Sequence, residues 1–127
     1  QKQVLLQQLQ PHFLFNALST LKSLIGEQPK DAEEYVVKLS GFLRYSVKTH
    51  TEPWGLLADE LQFAKDYLDV QKVRFGDALH WQVDVPDGFV SYKLPVYALQ
   101  LLVENAIKHN AFTDRKPLTI HIFLQGN

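Results

Sequence analysis

Cysteine is absent from the 127 residues. That excludes a disulfide framework and any thiolate metal site, and it is compatible with a reducing cytosol. No apolar run approaches the roughly 18 residues of a transmembrane helix, and no secretory leader is visible. Charge of one sign is lacking too: 13 Lys and Arg against 14 Asp and Glu leave a net charge of −1, so no global field favours nucleic acid or an acidic membrane. Lysine and arginine are dispersed, without a basic run or an aromatic platform, and nucleic acid is not an expected partner. There is no internal repeat and no low-complexity segment.

What remains is ordinary globular material, 46% hydrophobic, enough for one domain or two small pieces. Both ends read as cut. The chain opens on "QKQVLLQQLQ", already in helical pattern and without an N-cap, and closes on "LTIHIFLQGN", an apolar strand with little after it. The expectation is a soluble fragment of a longer protein.

Helical period runs from Gln1 to about Ile25, with Leu6, Leu9, Phe13, Ala17, Leu21 and Leu24 in one arc at about 100° per residue. Gly26 is the expected stop. Asp31 followed by Glu34 resembles a capping box. It would open a second helix reaching about Lys48, with Tyr35, Val36, Leu39, Phe42, Leu43 and Ser46 at three- and four-residue spacing. So short a joint predicts antiparallel neighbours. A hairpin of this length cannot bury its own stripe. A second copy across a two-fold axis, giving a four-helix bundle, is the expected partner of Tyr35, Leu39, Phe42 and Ser46 with Leu6, Phe13, Leu21 and Leu24.

Beyond it, "THTEPWGLLADE" reads as a linker broken by Pro53 and Gly55. A third helix is predicted over about Asp59 to Arg74. His80, Gln82 and Asp84 then alternate with Leu79, Trp81, Val83 and Val85, the period of a strand. Pro95 suits the first turn of a fourth helix. That helix ends near His109 and Asn110, with Asn110 able to take a left-handed C-cap conformation. "LTIHIFL" is the last strand. The fold class is α+β.

Two constellations carry chemistry. In "QPHFLFNALSTL", a proline precedes a histidine inside a helical pattern, where it removes a donor and kinks the helix at a cost of about 3 kcal/mol. Gln8, Asn16, Ser19 and Ser23 lie within about 40° of His12, which places it on a polar stripe away from the hairpin core. A solvated histidine is one reading. Metal binding is disfavoured, because no second histidine or carboxylate sits three or four residues on. The kink and the exposed Phe15 beside it favour a docking surface, and a neutral imidazole there is a competent nucleophile for phosphoryl transfer. In the fourth helix, Leu99, Leu102, Val103, Ala106 and Ile107 fill one side, and Tyr97, Glu104, Asn105 and Lys108 the other, with His109 at its edge. An acid, an amide oxygen and an ammonium in adjacent turns can hold Mg²⁺ and a polyanionic phosphate. A solvated face with a Glu104–Lys108 pair is the alternative.

"LLQQLQPHFLFNALSTL" resembles the phosphoacceptor box of the LytS/YehU-type sensor histidine kinases, and "LQLLVENAIKH" resembles their N box. "FLRYSV…ELQFAKDYLDVQKVRFGD" between them is also similar to that family. The resemblance covers essentially the whole chain in family order. It implies a dimerising phosphoacceptor hairpin over residues 1–50, half of a four-helix bundle. Residues 51–127 would then be the first part of a two-layer α/β sandwich ATP-binding domain of the gyrase, chaperone, histidine-kinase and mismatch-repair superfamily.

It further implies that His12 is autophosphorylated from ATP and passes the group to an aspartate on a response-regulator receiver domain. Asn105 would coordinate Mg²⁺ bridging the ATP phosphates, with Glu104, Lys108 and His109 lining the same pocket. The parent would sit at the cytoplasmic face of a bacterial inner membrane, attached through parts outside this stretch. Where many other histidine kinases carry an acid directly after the phosphoacceptor, this chain has Phe13. Asn16 matches the place where others keep an amide or hydroxyl that orients water for regulator dephosphorylation. Asn110 stands where the family usually has glycine. No G-x-G occurs, so the glycine-rich lid would lie beyond Asn127, and this stretch alone is expected not to bind ATP tightly or phosphorylate itself. The other reading is a non-catalytic dimerisation and docking module with a degenerate nucleotide domain.

Overall fold

The computed structural model describes residues 11–48, 52–89 and 91–125. Gln8, Leu6, Leu9 and the expected kink ahead of Pro11 lie outside the described residues. Helix α1 is described over Pro11–Glu27. It does not stop at Gly26, because Gln28 N donates to Leu24 O at 2.7 Å and the ladder runs straight through the glycine.

Helix α2, Pro29–Lys48, follows after the single residue Gln28. Ala32 N already donates to Gln28 O at 3.0 Å. Asp31 therefore lies inside the first turn, where its charge suits the helix dipole, rather than at the cap of a capping box.

The hairpin's inner stripe is as expected, but its partner is not. Phe13, Ala17, Tyr35, Leu39, Phe42 and Ser46 are buried, and they close on helix α3, Leu57–Phe75, of the same chain rather than waiting for a second copy. Val36, expected in that stripe, is exposed. α3 buries residues nearly all round, among them Leu61, Phe63, Ala64, Tyr67, Leu68 and Val70, because it has the hairpin on one side and the strands and last helix on the other. Aromatic rings tie the layers together. Phe42 lies 5.2 Å from Phe13, 4.7 Å from Phe63 and 5.5 Å from Tyr67 between centroids. The core is continuous from Phe13 to Val103. At the α2–α3 rim, Lys38 Nζ lies 3.2 Å from Asp69; an ion pair this exposed adds little stability.

The stretch read as a linker forms strand β1, Trp54–Leu56, antiparallel to β3, Lys93–Pro95, with Gly55 opposite Leu94. Pro95 thus ends a strand instead of starting a helix. Between them lies β2, Leu79–Asp84. Helix α4, Ala98–Lys108, then leads to β4, Leu118–Phe123. β2 and β4 pair in parallel, Trp81 opposite Ile120, as a helical crossover permits. Their alternation is as predicted: Leu79, Trp81 and Val83 face inward, His80, Gln82 and Asp84 outward.

Gly55 has a reason of its own. A Cβ there would stand 2.6 Å from Tyr45 Oη and 3.4 Å from Glu60 Oε2. The tyrosine cannot easily give way, since its ring packs 4.7 Å from Phe63. Gly55→Ala is therefore expected to destabilise the fold by about 1–3 kcal/mol, the usual cost of overpacking, measurable as a lowered urea midpoint.

Candidate functional site

His12 lies on α1 and is exposed, beside buried Phe13 and exposed Phe15. Ser19 and Ser23 are exposed as well. Asn16 is not, although the sequence places it on the same outward stripe. Its Nδ2 is sealed and has no hydrogen-bond partner, in a crevice lined by Phe13, Thr20, Tyr35, Gln71 and Arg74. The reason is α3, which covers this flank of α1; an arc measured on the hairpin alone does not contain it.

α4 is rotated from its expected setting. Leu102, assigned to the core, is 66% exposed, whereas Gln100 and Glu104 are buried beside Val103. The inward polar face is satisfied in part: Gln100 Oε1 is sealed without a hydrogen-bond partner, but the carboxylate beside it is engaged. Glu104 Oε2 accepts from Tyr97 Oη and, at 2.9 Å, from Gln100 Nε2. On α3, Gln71 Nε2 donates to Tyr67 Oη at 3.0 Å. Burial, and then the Glu104 carboxylate beside it, push the Tyr97 hydroxyl far above its ordinary pKa. Tyr67 is pushed up to about 12, chiefly by burial. Both hydroxyls stay protonated at neutral pH, so Tyr97 is a permanent donor to Glu104.

Tyr97 is also the N-cap of α4, with a left-handed φ of 71°. At the other end Asn110 does not take the left-handed conformation; Tyr97 is the one non-glycine with positive φ among the described residues. Instead, Asn110 Nδ2 donates to Ala106 O at 2.7 Å, capping the helix with its side chain.

Asn105, Lys108 and His109 are exposed on the outer side of α4. An amide oxygen, an ammonium and an imidazole there suit a polyanion and a hydrated cation. Glu104 is withdrawn from that face. Among the described residues, no group of three or more His, Cys, Asp or Glu is placed to hold a metal ion. A Mg²⁺ ion at this face would thus take most of its oxygens from phosphate and water, the usual habit of that ion.

Sequence reasoning missed Tyr45, Glu60 and Tyr97 as a connected set. Glu60 Oε2 accepts from Tyr45 Oη at 2.6 Å and from Tyr97 N at 3.1 Å. One signal was present: Glu60 shares a helical arc with Ala64, Tyr67 and Gln71, a carboxylate in a stripe that reads as core.

A histidine-kinase family profile matches residues 1–79. An uncharacterised sensor-like histidine kinase of Staphylococcus epidermidis is 40% identical over 119 residues, 92% of this chain and 23% of that protein. The sensor histidine kinase BtsS of Escherichia coli is 41% identical over 102 residues, 80% of this chain and 18% of that protein. The sensor protein kinase HptS of Staphylococcus aureus is 37% identical over 117 residues, 92% of this chain and 22% of that protein. The chain belongs to the histidine kinase family, as its two motifs implied, and it spans about a fifth of the length of these curated relatives. No described helix is long and apolar enough to cross a membrane.

Proposed function

We propose that the protein containing this chain is a two-component sensor kinase. His12 takes the γ-phosphoryl group of ATP and passes it to an aspartate of a response-regulator receiver domain. The observation that carries this reading is selective exposure. His12 and Asn105 both face outward, while neighbours of similar chemistry, Asn16 and Glu104, are turned inward. Bound Mg-ATP supplies the phosphoryl group and the charge-neutralising metal. A ring nitrogen of His12 forms the N–P bond as the γ-phosphorus separates from the ADP oxygen, and the other ring nitrogen releases its proton to solvent. The N–P bond then breaks as the regulator carboxylate takes the group.

Asn105 would offer its amide oxygen to a bound Mg²⁺, and Lys108 and His109 would supply donors and charge for the phosphates. Glu104 contributes from inside, holding Tyr97 and Gln100 so that the helix presents Asn105. Asn16 has no part on this reading. Incubating the full-length protein with Mg²⁺ and γ-labelled ATP is expected to give acid-labile, base-stable label on His12. Undiminished label on His12→Ala would overturn the reading.

A second copy fits the outer face of the hairpin rather than the inner one. Leu14, Leu18, Leu21 and Ile25 on α1, and Val36, Ser40, Leu43 and Val47 on α2, repeat at four, three and four residues, the spacing of a bundle seam. Leu18, Ile25, Val36 and Val47 are exposed. Light scattering is expected to give a dimer for the full-length protein at micromolar concentration and a monomer for the Leu18→Glu, Val47→Glu double variant, whose unfolding midpoint should no longer depend on protein concentration. A monomeric wild type would exclude this seam.

A further inference from the structure

We propose that Glu60 is a positioning residue that ties the N-box helix α4 to the phosphoacceptor hairpin, so that the setting of α2 governs how the Asn105 face receives nucleotide. The proposal rests on the kinase reading above and adds a residue that lies in neither motif.

Three elements meet at this one carboxylate. Tyr45 comes from α2, Glu60 from the first turn of α3, and Tyr97 from the cap of α4. Glu60 is fully buried, yet only Oε2 is used: it accepts the Tyr45 hydroxyl at 2.6 Å and the Tyr97 N–H at 3.1 Å. Oε1 is sealed with no hydrogen-bond partner. A sealed carboxylate with one idle oxygen is a costly way to fasten a core, since buried polar groups are ordinarily paired.

Tyr97 is the residue whose backbone is strained. Positive φ is a genuine outlier for a bulky side chain, and such strain persists only where its surroundings hold it and collects at functional and switching sites. Here it is held from both ends, by Glu60 at its N–H and by Glu104 at its hydroxyl. Glu104 immediately precedes Asn105. The polar path thus runs from α2, through Glu60 and Tyr97, to the turn that bears the metal-facing amide.

Backbone bonds reinforce the tie. Val96 N donates to Pro53 O at 3.1 Å and Leu57 N to Tyr92 O at 2.7 Å, so the strand leading into α4 is bound to the segment leading out of the hairpin. Gly55 leaves the room for Tyr45 and Glu60 to meet. A shift of α2 that withdrew the Tyr45 hydroxyl would leave Glu60 with Tyr97 N alone and free the carboxylate to turn toward its unused oxygen. The α4 cap would then lose its fixed anchor.

The test uses the full-length protein with Tyr45→Phe, Glu60→Gln and Glu60→Ala. Tyr45 lies outside both motifs in the sequence, and its phenylalanine variant keeps the ring. Tyr45→Phe is expected to weaken binding of a fluorescent ATP analogue, and to raise KM for ATP in His12 labelling, on the order of 5–10-fold, the scale of ordinary coupling between sites. Hydrogen exchange should quicken in residues 97–105 and not in β4. Glu60→Gln keeps an acceptor oxygen and should stay near wild type. In a Glu60→Ala background, if that variant folds, Tyr45→Phe should add nothing, as required of residues acting through one another.

A purely structural role would lower the unfolding midpoint of Tyr45→Phe and leave nucleotide affinity within about twofold; that result overturns the proposal, as does unchanged exchange in α4. A wild type that binds no nucleotide overturns the kinase reading instead, and the exchange measurement still decides whether α2 and α4 are coupled.

Discussion

Asn105→Ala in the full-length protein is expected to cut the rate of His12 labelling by about 10²–10³-fold, the usual effect of removing one preorganised polar group from a site where charge is being stabilised. Its unfolding midpoint should hardly move. The side chain is exposed, and surface substitutions usually stay within about 0.5 kcal/mol. The two measurements together separate a ligand-facing amide from a structural one. Glu104→Gln supplies the contrast. Glu104 Oε2 accepts from Tyr97 Oη and Gln100 Nε2, a job that an amide oxygen can also do. That variant is expected to keep most of its labelling. If Glu104 instead handled a proton at the reacting centre, glutamine would be as damaging as Asn105→Ala. Mixing His12→Ala and Asn105→Ala chains then reports geometry: label reappears in mixed dimers only if one copy's α4 serves the other copy's histidine.

Much of this arrangement is legible before any coordinates. α1, α2, α3, β2 and β4 announce themselves because each is long enough for its period to repeat. His12 and Asn105 are exposed on their helices, as the polar arcs of the sequence suggest. β1 and β3 are not legible, since three residues contain no period and Pro53, Gly55 and Pro95 read as breakers. Their pairing depends on a contact between residues about forty apart. The facing of α4 fails for a related reason. A helical arc assumes that apolar means inward, but the α4 cap offers the Tyr97 hydroxyl to Glu104, which also accepts from Gln100, so Gln100 and Glu104 go inside and Leu101 and Leu102 stay out. Likewise, the hairpin's need for a partner is evident in its stripe, while the identity of that partner is a tertiary fact. α3 satisfies the inner face and also reaches round to Asn16, which local periodicity had left in solvent.

Phe42→Ala is expected to be the most destabilising single change among the aromatic residues of the hairpin. Phe42 is 2% exposed and sits between layers, stacked on Phe63 at 4.7 Å and tilted against Phe13 at 5.2 Å and Tyr67 at 5.5 Å. Deleting a buried ring removes its transfer free energy and leaves a cavity lined by rigid neighbours, about 3–5 kcal/mol in all. That is a large part of the 5–15 kcal/mol typical of a whole domain. The loss should appear as a lowered urea midpoint, with a weakened near-ultraviolet signal from the remaining rings if the hairpin parts from α3. Phe15→Ala is the control: the same atoms are deleted from a side chain 68% exposed, and the midpoint should scarcely shift. Equal effects at the two positions would mean that the hairpin does not rest on α3 through this cluster. A large effect at Phe42 alone would show that the hairpin rests on α3 through this cluster, whose Phe63 ring in turn lies 5.9 Å from Tyr97 at the cap of the Asn105 helix.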